Sequence, residues 1–170
     1  AILPAYIATP GYAGAKIGTN CPHIHRDVKD IKRDGQDFFY IVHQISGDAV
    51  MDHCGKQSTL NAGDLVLLDS SLPSDFYFSG MSEQISLLIP RHKVEAKIQN
   101  AHQILNQKIS AQTRIGSVAG FIANQFFNAA EADEDTELVM DSLLGLILPT
   151  LKCSENQGSS YNEKVQKAYF

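Results

Sequence analysis

Residues Asp37–Pro90 read DFFYIVHQISGDAVMDHCGKQSTLNAGDLVLLDSSLPSDFYFSGMSEQISLLIP, and the punctuation of this stretch decides the fold. Short apolar segments alternate with Gly47-Asp48, Gly55-Lys56, Gly63-Asp64 and Ser79-Gly80, residue pairs suited to tight turns. Short strands with turn residues at such regular spacing predict a compact β-barrel or sandwich, a container able to hold a small ligand. Phe38 to Ile45 is apolar on nearly both alternating faces, so it is expected to be covered on both sides and to stand at the centre of the β region. Asp48 to His53 is expected to pair with it across the Gly47 turn. Gln57 to Asn61, Asp64 to Asp69, Phe76 to Phe78 and Gln84 to Ile89 supply the remaining strands.

Upstream, Ala1 to Asn20 has too weak a period to predict more than coil with one short strand, and a strand is expected from His23 through Val28 to Ile31. Downstream of Pro90 the period changes from two to about 3.6. His92 to Ile109 places Val94, Ile98, Ala101 and Leu105 on one helical stripe, and Gln112 to Ala130 does the same with Ile115, Val118, Ile122, Phe126 and Ala129. A third helix is expected from Glu137 to Leu148, started by the acids of Asp133–Glu137 and ended by Pro149. It is apolar almost all round. Leu143, Leu144, Ile147 and Leu148 are therefore candidates for a two-fold dimer interface, since one small core is not expected to hide them all. Ser154 to Ser160 reads as a polar linker, and Tyr161 to Phe170 as the start of another helix.

Composition narrows the function. A chain of 170 residues suits one domain with a sizeable core, and 44% apolar residues argues against disorder. The most apolar run, Leu143 to Leu148, is too short to cross a bilayer, so no membrane partner is expected. A net charge of −5, with no block of Lys or Arg, makes the chain as given a poor nucleic-acid binder. Cys21, Cys54 and Cys153 lie far apart without a CxxC pair, which fits a reduced, cytoplasmic location. The abrupt opening at Ala1-Ile2-Leu3-Pro4 reads as that of a fragment.

Gln44, Ser46, Gly47, Gly63, Asp64, Val66, Leu67, Leu68, Asp69 and Pro90 form the pattern Q-x-S-G, G-D-x-V-L-L-D and a closing P. On these residues, and with strands preceding helices, the chain resembles the sensor domain of the AraC/XylS family of bacterial transcription regulators, most of all the amine-oxidation regulators of the FeaR type. The resemblance runs from Arg26 to Pro90. It implies an α+β fold, a cupin-like antiparallel β-barrel followed by two to three α-helices. It further implies an effector-binding barrel over residues 1–90, a helical dimerisation region over 91–152, and a linker over 153–170 leading to a helix-turn-helix DNA-binding domain absent from this chain. The partners it implies are a small organic effector, tilted toward an aromatic amine, aldehyde or acid, and a second copy of the chain. DNA is expected to be bound only through the absent domain.

Ligand-binding candidates are Arg26, Tyr40, Val42 and Gln44, because apolar walls supply affinity and sparse polar groups set orientation. On the central strand the face carrying Tyr40, Val42 and Gln44 is expected to meet the ligand, with His43 on the other side. Arg26 matches a family position near the pocket mouth and suits an anionic or carbonyl group. Asp64, directly after a turn glycine, is expected to bond backbone amides rather than to catalyse. No catalytic residue and no cofactor are expected. The rival reading is a small metal-dependent cupin enzyme using His23 and His25, helped by His43 or His53; Cys21, about 14 Å from His25 along a strand, is too far to share one ion with it.

Overall fold

The structure, a computed structural model, describes residues 2–3, 13–19, 23–34, 37–128 and 134–151, and of residues 2–3, 13–19, 34, 127 and 128 the backbone alone. Nine strands form two antiparallel sheets among the described residues: β1 (Ile2–Leu3), β2 (Ala13–Thr19), β3 (His23–Arg26), β4 (Phe38–Ser46), β5 (Ala49–His53), β6 (Lys56–Leu60), β7 (Leu65–Asp69), β8 (Ser74–Phe78) and β9 (Ser82–Pro90). The larger sheet runs β1-β2-β9-β4-β7 and the smaller β3-β8-β5-β6. The helices are α1 (Val28–Asp34), α2 (Arg91–Glu95), α3 (Arg114–Asn128) and α4 over residues 136–151. This is an α+β fold with a cupin-like two-sheet β structure, as expected.

The central strand is covered on both faces. Val42 packs between the sheets with Met51, Leu60, Val66, Leu68 and Phe78. Phe39 and Ile41, one pleat away, join Leu67, Leu87 and Ile89 in a second cluster with Val94, Leu105, Ala119, Ala123, Met140 and Leu144 from the segments after Pro90. The period of two along β4 thus divides two cores between adjacent side chains. None of the helices among the described residues is long and apolar enough to cross a membrane.

Several expectations are corrected. β5 does not pair with β4 across Gly47; it pairs with β6 and β8 in the other sheet. A register shift between Gln44 and Ser46, and Gly47 at φ 71°, redirect the chain across the sandwich. A Cβ on Gly47 would stand 2.6 Å from the Met81 carbonyl oxygen, so the crossing point needs glycine twice over. The N-terminal segment contains β2, which pairs with β9 along its whole length. The strand from His23 stops at Arg26 because Asp27 starts a helix instead: its carboxylate accepts from Lys29 N at 2.8 Å and Asp30 N at 3.0 Å, while Asp30 Oδ2 accepts from Asp27 N at 3.1 Å.

The helix expected over His92–Ile109 is cut to α2 and a 3₁₀ turn, Ala101–Ile104. Asn106 then takes φ 56°, its amide donating to Met51 O at 3.0 Å and Lys56 O at 2.7 Å, and Ile109 exchanges backbone hydrogen bonds with Leu65. Covering the edge of β7 overrides the helical period here, although Val94, Ile98, Ala101 and Leu105 are all buried as their spacing implied. In α3 the inward stripe is Gly116, Ala119, Gly120, Ala123 and Phe126, whereas Val118 points outward. Small side chains let this helix lie close to the large sheet. The last helix runs past Pro149 to residue 151; Gly145, whose carbonyl the proline leaves unbonded, is exposed, so water can satisfy it. Leu143, Leu144, Ile147 and Leu148 are each at most 2% exposed, filling the chain's own core, so these side chains are not presented to a partner. The expected linker and final helix lie outside the described residues, as does Cys21.

Candidate functional site

Between the sheets a cavity of about 200 Å³ is lined by Ile24 and Arg26 of β3, Tyr40 of β4, Phe76 of β8, Gln84, Ser86 and Leu88 of β9, and Ser70. Pairing explains the set. Tyr40 stands opposite Leu88 and Val42 opposite Ser86 across β4 and β9, while Ile24 stands opposite Phe76 across β3 and β8. Directly opposed residues share a face, so the two sheets turn these positions toward each other. The walls are mainly aliphatic and aromatic, with a few polar groups on three sides.

Arg26 donates from Nε (3.1 Å) and Nη2 (3.0 Å) to the Ser70 carbonyl, which fixes the guanidinium at the wall. Ser70 is held in turn, its Oγ accepting from Phe38 N at 2.8 Å. Burial pushes the Tyr40 phenol up to about 12, so its hydroxyl remains a neutral group throughout the physiological range. The structure brings Arg26 and Tyr40 to this cavity and keeps Val42 and Gln44 out of its lining. Val42 is core. The Gln44 amide is consumed internally: Nε2 donates to Ser46 O (2.8 Å) and Ser82 Oγ (2.6 Å), and Oε1 accepts from Gln84 Nε2 at 2.7 Å. Gln44 therefore positions Gln84, which does line the cavity.

His43 faces away from the cavity, as expected, and lies against α3, where a Cβ on Gly120 would stand 3.0 Å from its Nε2. Burial lowers its pKa and holds the ring neutral. Asp64 serves as the expected backbone bracket, accepting from Asn61 N at 3.0 Å and Ala111 N at 2.8 Å.

His23 and His25 come together with a third group, Asp75, that the sequence did not single out. His23 Nε2 and His25 Nδ1 lie 2.6 and 2.7 Å from the same oxygen, Asp75 Oδ1. The hydrogen bond that His25 donates to Asp75 raises the His25 pKa, and the one from His23 lowers the Asp75 pKa. Both rings are exposed on the outer face of the small sheet, one pleat away from Ile24 and Arg26. They do not point toward the cavity between the sheets. Neither His43 nor His53 joins them: His53 Nδ1 faces Pro73 O at 2.9 Å and its Nε2 accepts from Asp69 N at 3.1 Å. The lining residues Ile24, Phe76, Gln84, Ser86 and Leu88 are not legible in the sequence because only strand register selects them, and Ser70 because it lies in the turn after β7.

A family model of the AraC-binding-like domain matches residues 13–152. The chain belongs to this family. The fold of this AraC-binding-like domain is similar to that of the AraC-like transcriptional activator CuxR, with a TM-score of 0.66 at 10% identity over 84% of this chain. The chain covers 56% of that activator's length. Weaker likenesses are to EutQ of Clostridium difficile (TM-score 0.41, 12% identity, 51% of this chain and 65% of that one) and to a cupin-2 domain containing protein of Shewanella frigidimarina (TM-score 0.40, 13% identity, 52% and 80%).

Proposed function

We propose that this AraC-binding-like domain senses a small organic acid or aldehyde, and that it does so without catalysing a reaction. The observation that carries the reading is the cavity itself: about 200 Å³, apolar walls, and a fixed guanidinium with a neutral phenol beside it. That volume equals the space of about six or seven waters, which suits a single-ring acid or aldehyde rather than a large metabolite. Arg26 would receive the carboxylate or carbonyl oxygen and Tyr40 and Phe76 would flank the ring. The test is a thermal-shift screen of aromatic amines, aldehydes and acids. An acid or aldehyde that raises the midpoint in the unaltered chain but not in Arg26→Ala or Tyr40→Ala supports the reading; ligands indifferent to both substitutions refute this cavity as the site.

The same reading assigns residues 1–90 to sensing, 91–152 to a helical region that dimerises, and 153–170 to a connection toward a DNA-binding domain outside this chain, in a cytoplasmic regulator. Dimerisation would have to use what the helices leave in water. Val118 and Phe121, three apart on α3, are 50% and 66% exposed, and Leu138 on α4 is 66% exposed. Sedimentation at micromolar concentration is expected to give a dimer that Phe121→Glu splits without unfolding. A monomer in the unaltered chain rejects the dimer.

A further inference from the structure

We infer that His23, His25 and Asp75 form a zinc-binding site on the outer face of the small sheet, separate from the effector cavity. The three potential ligand atoms lie within 4.8 Å of one another, contributed by the adjacent strands β3 and β8. A His-x-His pair on one strand places both imidazoles on one face, and the register sets His25 opposite Asp75 and His23 opposite Tyr77. Two imidazoles and a carboxylate are a donor set that suits Zn²⁺, with the fourth, solvent-facing position left to water.

The geometry is close to what an ion requires. Tetrahedral ligands about 2.0 Å from zinc stand about 3.3 Å from each other. The metal-free contacts of 2.6 and 2.7 Å to Asp75 Oδ1 need open only by about 0.6–0.7 Å, which a side-chain rotation of a half-buried carboxylate at the surface supplies. His23 would coordinate through Nε2 and His25 through Nδ1, each as the neutral imidazole with its proton on the other nitrogen. One neighbour holds a ring for that role: Tyr77 stacks on His23 with centroids 4.5 Å apart and planes 5° from parallel. Asp27 Oδ2, 4.0 Å from His25 Nε2, adds negative charge beside the second ring. Asp52, opposite Asp75 on β5, adds negative charge to the same face.

Bound zinc would tie β3 to β8. β3 is an edge strand whose partner among the described residues is β8 alone, and these two strands supply Ile24, Arg26 and Phe76 to the cavity. The ion therefore clamps one wall of the pocket from outside.

The experiment titrates the chelator-stripped 170-residue chain with Zn²⁺ by calorimetry and follows its thermal midpoint. One ion per chain and a raised midpoint are expected. His25→Ala and Asp75→Asn should each weaken zinc binding at least about tenfold and abolish the midpoint rise, since even partners that merely orient a ligand are worth that much. His102→Ala, an exposed histidine elsewhere, should leave both unchanged. Absence of stoichiometric binding, or binding that His25→Ala and Asp75→Asn leave intact, would overturn the site.

Discussion

Gln44 has no measurable exposure, yet every polar atom of its amide has a protein partner, and one of those partners is a cavity residue. Replacing it by Leu keeps the volume but removes the short hydrogen bonds of Ser82 Oγ and the Gln84 amide, leaving them the longer contacts to Ser46 O at 3.3 Å and Met51 Sδ at 3.9 Å. We expect Gln44→Leu to cost about 2–3 kcal/mol, the penalty for stranding buried polar atoms, read as a lower urea midpoint at unchanged slope. A loss below about 0.5 kcal/mol would mean that water replaces the amide. At this scale the sequence indicated the face of β4 that looks between the sheets, from the alternation of Tyr40, Val42 and Gln44. It did not indicate that Gln44 is spoken for, because Ser82 and Gln84 lie 38 and 40 residues away and meet it only through register.

At the scale of elements, α3 packs against β2 and β9 of the large sheet and meets His43 of β4 at Gly120. A Cβ on Gly116 would fall 2.0 Å from the Ser110 carbonyl oxygen, part of the backbone that leads into the helix. Alanine would gain up to about 1 kcal/mol of helix propensity, but overpacking against main chain costs about 1–3 kcal/mol. Gly116→Ala is therefore expected to destabilise, and a rise in the thermal midpoint would show that the first turn can move aside. In α4 the inward residues are the large ones. Leu144→Glu would place a charge in the fully buried cluster with Met140 and Ile147, so it should unfold the chain outright rather than split a dimer, as circular dichroism would report. Periodicity found both helices. Which arc of each faces inward followed from what they pack on, and for α3 that choice ran against the most apolar arc.

For the whole molecule, pH is a readable handle. Burial pushes the pKa of both His43 and His53 below the ordinary 6.5, so the unfolded chain binds protons at these positions before the folded chain does. Their contribution to stability is complete above pH 6.5 and is lost as pH falls through that value toward the depressed folded pKa. The thermal midpoint should fall on that limb, by about 2–4 °C for each kcal/mol lost, and His43→Gln should flatten it. A midpoint constant between pH 7.5 and 5.5 (about one unit either side of the ordinary histidine value) would contradict this. Asp69 acts in a separate window. Burial works to raise its carboxyl, but Arg91, bonded at 2.6 and 3.1 Å, outweighs this and holds it below 3.8, so its contribution fades only as pH falls beneath that value.

The sequence by itself determined the class of fold: strands from period two, helices from period 3.6, and turns at Gly47, Gly55 and Gly63, all of which take positive φ. Those are local properties, written within a few residues of where they act. It also offered Tyr40, Val42 and Gln44, from the alternation of one apolar strand, and Arg26, through the family resemblance, as ligand candidates; of the four, Arg26 and Tyr40 line the cavity. Only the tertiary structure decided that β4 and β5 part into different sheets, that the segment after α2 gives up its helix to cover the edge of β7, and that His23 and His25 look outward onto Asp75. Each of these depends on pairing between residues tens of positions apart. A one-residue slip in any such pairing would turn every side chain of the strand to its opposite face, and no local pattern fixes that choice.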